Sequence, residues 1–186
     1  PLASLCVIEL SSGKVLPIDR QPSYIGFVEM NAVQWGDDHR LYFIERTRDR
    51  NTVRLACFDP ADRTQQVLIE EIGKGHGYPS PFPFGSPIFK MLPTRNELIW
   101  YSHRSGWGHL YRHDLTTGEL KNAITTGHYV VTQLHHVDTR CETVYFSACG
   151  RDQESNPYYE KVYRVQLDGS DLVCLTPEDS QHDVLP

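Results

Sequence analysis

Short runs of apolar and aromatic residues, each closed by a polar turn, recur along this chain at a spacing of about 50 residues. Three of them end alike: Leu5-Cys6-Val7-Ile8-Glu9-Leu10-Ser11-Ser12-Gly13-Lys14, Leu110-Tyr111-Arg112-His113-Asp114-Leu115-Thr116-Thr117-Gly118-Glu119, and Val162-Tyr163-Arg164-Val165-Gln166-Leu167-Asp168-Gly169-Ser170. A fourth, Leu55-Ala56-Cys57-Phe58-Asp59-Pro60-Ala61-Asp62, keeps the acidic turn without its glycine. The copies start at residues 5, 55, 110 and 162, so the spacings are 50, 55 and 52. Upstream of the last three lie Arg40-Leu41-Tyr42-Phe43-Ile44, Glu97-Leu98-Ile99-Trp100-Tyr101 and Thr143-Val144-Tyr145-Phe146. These runs are rich in β-branched and aromatic residues and predict strands. They are apolar on both faces, as strands covered from both sides are.

A shorter run precedes each (32–35, 87–91, 130–134) and another follows the turn (66–69, 120–125, 172–175). Four strands in a unit of this length is the plan of a β-propeller blade, and repetition of the unit makes it a stack of blades. Thr116-Thr117-Gly118 and Asp168-Gly169-Ser170 put glycine where a tight hairpin needs positive φ. No helical periodicity exceeds about two turns; the nearest, 62–72, has a Val67-Leu68-Ile69 centre that favours a strand. The Pro/Gly-rich stretch 75–87 reads as a loop between blades, because the repeat stays in phase beyond it. The expected fold is all-β, a β-propeller fragment of about three and a half four-stranded antiparallel blades. It forms one partial domain over residues 1–186: the end of a blade at 1–20, blades at 22–75, 80–126 and 127–180, and the start of the next at 181–186. Propellers close with four to eight blades, so open sheet faces are expected at both ends. Such faces offer a route to homo-oligomers.

Composition narrows the functional classes. With 39% hydrophobic residues and a net charge of −6, the chain has the makings of a packed core. Lys and Arg number 18 against 24 Asp and Glu, with no basic run, so nucleic acid is not an expected partner. No stretch reaches the ~18 apolar residues of a membrane helix, and residues 1–20 do not read as a signal peptide. Five cysteines without a CxxC fit neither a disulfide framework nor a zinc site, although one bridge stays open. Cys6, Cys57 and Cys174 sit in apolar runs and read as small hydrophobes.

Beyond the repeats, Trp100-Tyr101-Ser102-His103-Arg104-Ser105-Gly106-Trp107-Gly108-His109-Leu110-Tyr111 is similar to a hairpin of the N-terminal propeller of dipeptidyl peptidase IV-like serine peptidases. The resemblance runs on through Asp114 to Gly118, Ile124 to Gly127, Val144-Tyr145-Phe146, Tyr158 to Gly169 and Leu175-Thr176-Pro177, and covers most of 28–185. It departs at His103, where that family usually carries Glu. The resemblance implies a propeller packed on a C-terminal α/β-hydrolase domain of the same parent chain, filtering short peptide substrates for a Ser/Asp/His site outside these residues. Phe82 and Phe84 resemble in position a loop that walls the family's pocket; the alternative is that they pack between blades. Glu70-Glu71 is not matched to the family's amine-binding pair, because it falls at the end of a blade. The reading from another class is a stand-alone propeller that serves as a protein- or ligand-binding scaffold.

Nothing else in the sequence points to chemistry. No Gly-x-Ser-x-Gly elbow occurs, so no catalytic residue is assigned. His109 and His113 would lie roughly 13 Å apart along a strand at ~3.3 Å per residue, too far to share an ion. His135 and His136 should point to opposite faces. Asp59, Asp62, Asp168 and Asp171 read as turn formers and not as a calcium loop. No metal or cofactor is expected. Trp107, at a hairpin tip, is expected to pack against an adjacent blade, and Arg48 to Asn51 form the tip of the preceding hairpin.

Overall fold

The computed structural model describes residues 2–18, 23–24, 33–47, 49, 51–73, 88–152, 154–182 and 184. All their regular structure is β apart from one 3₁₀ turn, Pro93–Arg95. The chain divides into two compact units, residues 1–79 with 116–119, and residues 80–115 with 120–186.

In the first unit, β1 (Leu2–Ala3) pairs with β4 (Ser23–Tyr24), and β2 (Cys6–Glu9) with β3 (Lys14–Pro17). A four-stranded antiparallel sheet follows in the order β5 (Val33–Trp35), β6 (Leu41–Arg46), β7 (Thr52–Asp59), β8 (Thr64–Ile72). Segment 64–72 is therefore a strand, as its β-branched centre predicts. It carries a register shift opposite Leu55 and Ala56. Ile18, Leu41, Phe43, Ala56 and Phe58 form this unit's core, with Leu5 and Val7 against it. Among the described residues the β2–β3 pair has no third strand, and Cys6 is exposed, unlike the buried Cys57. The expectation of a small hydrophobe holds for Cys57 and not for Cys6. All five cysteines are free.

The second unit holds two sheets, β9 (Phe89–Leu92), β10 (Glu97–Ser102), β11 (His109–Asp114), β12 (Leu120–Ala123), and β13 (Val130–Asp138), β14 (Thr143–Cys149), β15 (Lys161–Gln166), β16 (Val173–Cys174). Each runs antiparallel in chain order. All six residues of β10 are buried, which is why that run lacks polar alternation. One core spans both sheets and includes Ile99, Leu110, Val131, Phe146, Tyr163 and Val165. Phe146 and Tyr163 are cross-strand partners with rings stacked at 5.6 Å.

Backbone and side-chain bonds fasten the two sheets to each other. Val131 N–H donates to Gly108 O at 2.9 Å, and Asn122 Nδ2 to Leu167 O at 2.9 Å. Arg95 bridges Glu97 on its own sheet and Glu142 on the next, at 3.1 and 2.7 Å. Glu97, 4% exposed, also accepts from Arg112 Nε at 2.9 Å and Lys121 Nζ at 3.0 Å. Burial pushes its carboxyl up, but the bonds from Arg112, Lys121 and Arg95 outweigh that and bring it down to about 2.

The turns follow the repeat. Gly13, Gly118 and Gly169 have φ of 71°, 76° and 92°. In the copy without glycine, Arg63 takes the left-handed position with φ 61°. The aspartates there make turns: Asp168 Oδ1 accepts from Ser170 N–H at 2.8 Å, and Asp62 Oδ1 from Thr64 N–H at 3.0 Å.

Candidate functional site

In the second unit the β10–β11 tip (103–108), the β12–β13 connection (124–129) and the β14–β15 connection (150–160) gather side chains that can bind, stack and exchange hydrogen bonds. The first two are tied together by Val131 N–H on Gly108 O and by His109 Nε2 on Gly127 O, each at 2.9 Å. A Cβ on Gly108 would lie 1.9 Å from Tyr101 Oη, so the tip closes over that phenol only because residue 108 is glycine.

Trp107, 40% exposed, stacks on His128 with centroids 5.8 Å apart and planes 23° off parallel. This contact joins the tip to the segment that enters the next sheet, as the packing expectation required, and leaves the indole partly exposed. Behind it His109 is buried. Its Nδ1 meets Thr125 Oγ1 at 3.0 Å, and Tyr129 packs edge-on at 4.9 Å. Burial lowers His109's affinity for a proton. Tyr101 pairs through its hydroxyl with His103 Nε2 at 3.3 Å, and burial pushes the phenol well above its ordinary range. The Arg104 guanidinium lies 4.4 Å over the Tyr111 ring, with Nε on Ser102 Oγ at 3.1 Å.

The third connection frames a shallow depression lined in part by Gly150, Arg151, Asp152, Tyr159, Lys161 and Tyr163. Lys161 is buried, and its ammonium donates to Asp152 Oδ2 at 2.9 Å and Pro177 O at 3.3 Å. Asp152 raises the Lys161 pKa. Tyr163 is pushed up to about 12, by burial first and then by Cys174. Arg151, 5.5 Å over the same ring, acts in the opposite direction.

Phe82, Phe84, Arg48 and Arg50 lie outside the described residues. His109 and His113 keep separate partners, Thr125 and Gly127 for the first and Arg104 for the second. His135 meets Ser147 Oγ at 2.7 Å while His136 faces Tyr145, as opposite faces require. Ser147 is 1% exposed, so that Ser–His pair cannot meet a substrate. Ser180 and Glu178 both approach the same nitrogen, His182 Nε2, at 3.1 and 3.9 Å. A triad needs the nucleophile and the carboxylate on opposite ring nitrogens. Among the described residues no three His, Cys, Asp or Glu side chains converge as a metal site would require. Sequence reading missed the His109–Thr125–Gly127 link and the Lys161–Asp152 pair; the two glycines flanking Trp107 were the available signal for the first.

The family model of the dipeptidyl peptidase IV (DPP IV) N-terminal region matches residues 1–185. The chain belongs to the DPP IV N-terminal region family. Among solved structures it is similar to Porphyromonas gingivalis dipeptidyl peptidase 4, with 19% identity and TM-score 0.77 over 98% of this chain and 24% of that one. It is also similar to a protein described as a dipeptidyl aminopeptidase IV from Bacteroides ovatus, with 20% identity and TM-score 0.69 over 91% and 25%. TolB from Acinetobacter baumannii matches at 16% identity and TM-score 0.53 over 96% and 39%. At these identities the likeness shows the fold, an all-β array of propeller blades. The chain spans about a quarter of the length of the two peptidase structures. The DPP IV-like string Trp100 to Tyr111 forms the end of β10, the tip with Trp107, and the start of β11. His103, where the sequence leaves the family pattern, stands edge-on to Tyr101 at 5.1 Å.

Proposed function

We propose that this chain is a non-catalytic part of the propeller of a DPP IV-like serine exopeptidase, and that it shapes the access of short peptides to a C-terminal α/β-hydrolase domain of the same parent chain. The observation that carries this reading is the family match over 1–185. The span of about a quarter of the related peptidases supports the view of the chain as one partial domain, with blades at 22–75, 80–126 and 127–180 between partial blades at 1–20 and 181–186. Phe82 and Phe84 are the residues proposed to wall the substrate pocket. In the parent enzyme, Phe82→Ala with Phe84→Ala is expected to raise KM for a proline-containing dipeptide amide several-fold with kcat little changed. An unchanged KM would return these side chains to packing between blades. The 186-residue chain alone is expected to show no turnover of that amide, and measurable cleavage would overturn the placement of the chemistry elsewhere.

The bare faces of the terminal blades are proposed as the contact between copies when this chain is made on its own. The scaffold reading has the weaker support, since the family model names the DPP IV region and TolB adds only fold-level likeness. A parent sequence without a Gly-x-Ser-x-Gly elbow followed by Asp and His would favour the scaffold.

A further inference from the structure

One buried imidazole fastens the far end of the β12–β13 connection to β11, while Ile124 and Thr125 N–H hold its near end on Leu110 O at 2.8 and 3.3 Å. Gly127 O can only accept, so His109 Nε2, 2.9 Å away, carries a proton. In the neutral ring Nδ1 then bears none, and it accepts from the Thr125 hydroxyl at 3.0 Å. Thr125 Oγ1 in turn accepts from Leu110 N–H at 3.0 Å. Every polar atom of this network is satisfied, and each bond runs between β11 and the connection.

A second proton, taken from solvent, must enter at Nδ1. The Thr125 hydroxyl would have to turn its hydrogen away, and the ring would become a buried cation. The titratable groups facing the ring are His103, from the segment after β10, and the Tyr129 phenol, from the connection itself. Arg151, from the segment after β14, acts on that phenol. None of these is an anion at neutral pH; the Gly127 carbonyl favours the charged ring, but burial opposes it more strongly. Opening the connection to water is the remaining relief. Residues 127–129 would move with it, including His128, on which Trp107 stacks.

We propose that His109 is a pH-operated latch: in its neutral Nε2–H form it fastens the β12–β13 connection to β11, and protonation releases that connection together with the stacked Trp107–His128 pair. The partner of this latch is the proton, and its output is the exposure of an indole at the tip of the hairpin.

The test is nuclear magnetic resonance on the 186-residue chain between pH 7.5 and 5. The side-chain nitrogen spectrum is expected to show His109 as the Nε2–H tautomer at pH 7.5. Its protonation should coincide with shifts of the Gly127 amide and the Trp107 indole N–H. Amide exchange over 124–131, corrected for the intrinsic rate, should rise at least tenfold from pH 7.5 to 5. His128→Gln is expected to keep these transitions at Gly127 and Thr125, and His109→Gln to abolish them. An Nδ1–H tautomer, protonation without movement of Gly127 and Trp107, or loss of the transition in His128→Gln would each overturn the latch. Should His109→Gln fail to fold, the wild-type tautomer and coincidence measurements decide alone.

Discussion

Arg63 holds a left-handed conformation at the position where two sister repeats use glycine, Gly13 and Gly118. That conformation costs a residue with a Cβ roughly 1–2 kcal/mol. Glycine gives back about 0.5–1 kcal/mol through the freedom of the unfolded chain. The first effect is the larger, so Arg63→Gly is expected to stabilise the protein by about 0.5 kcal/mol, read as a higher urea midpoint with unchanged slope. A lower midpoint would mean that Arg63 makes a contact worth more than its backbone strain. Glu97 illustrates the opposite balance, in which a costly burial is overcome by its partners. Its carboxyl titrates near 2 in the folded chain, against about 4.3 for an ordinary glutamate. A lowered carboxylate pKa contributes stability that is complete above the ordinary value and is lost as pH falls from about 4.3 to about 2. The contribution is about 2–3 kcal/mol at neutral pH. Glu97→Gln should therefore cost about 3 kcal/mol at pH 7. It should also shrink the difference in stability between pH 7 and pH 2.5 by about 2 kcal/mol. Urea melts at the two pH values measure both, and an unchanged acid sensitivity would assign it to the turn aspartates instead.

At the scale of the elements, the core of the second unit makes β9–β12 and β13–β16 one cooperative body. Phe146 touches this shared core from β14 and is fully buried. Phe146→Ala is expected to cost about 3–5 kcal/mol. Hydrogen exchange should show β10 and β11 losing protection together with β14 and β15. Loss confined to β13–β16 would show that the sheets unfold separately. Strands of this kind were legible in the sequence because each is a short apolar run between turn residues, and the 50-residue period told which runs belong to one blade. Glu97 and Arg112 were not legible as partners. They are 15 positions apart and meet because the register sets Ile99 opposite Arg112, a fact of the hairpin geometry and not of local pattern. His109 and Gly127 escaped for the same reason: a carbonyl acceptor 18 residues away leaves no mark on side-chain composition. The aromatic pair Phe82 and Phe84 was named from family likeness alone, and it falls outside the described residues.

For the molecule as a whole, blades are stable when neighbours cover both faces of each sheet, and the chain departs from that condition at the β2–β3 pair. Ile8 and Val15 stand opposite each other there, 54% and 55% exposed, with Leu10 also bare. Burying two such side chains is worth about 1.5–3 kcal/mol each relative to full exposure, and they are already half buried. About 2 kcal/mol therefore remains to be gained by covering the pair, which corresponds to a thirtyfold change in an association constant. In a complete propeller a neighbouring blade would supply that cover. In a solution of this chain alone a second copy can supply apolar cover. Sedimentation velocity of the 186-residue chain is expected to show concentration-dependent association, weakened at least tenfold by Ile8→Thr with Val15→Thr. Both side chains are exposed in the single chain, so the double substitution should leave its urea midpoint nearly unchanged. Association that survives the substitution would move the contact to another exposed apolar stretch, such as β5 with Val33 and Trp35 or the end of the fold with Val173 and Leu175.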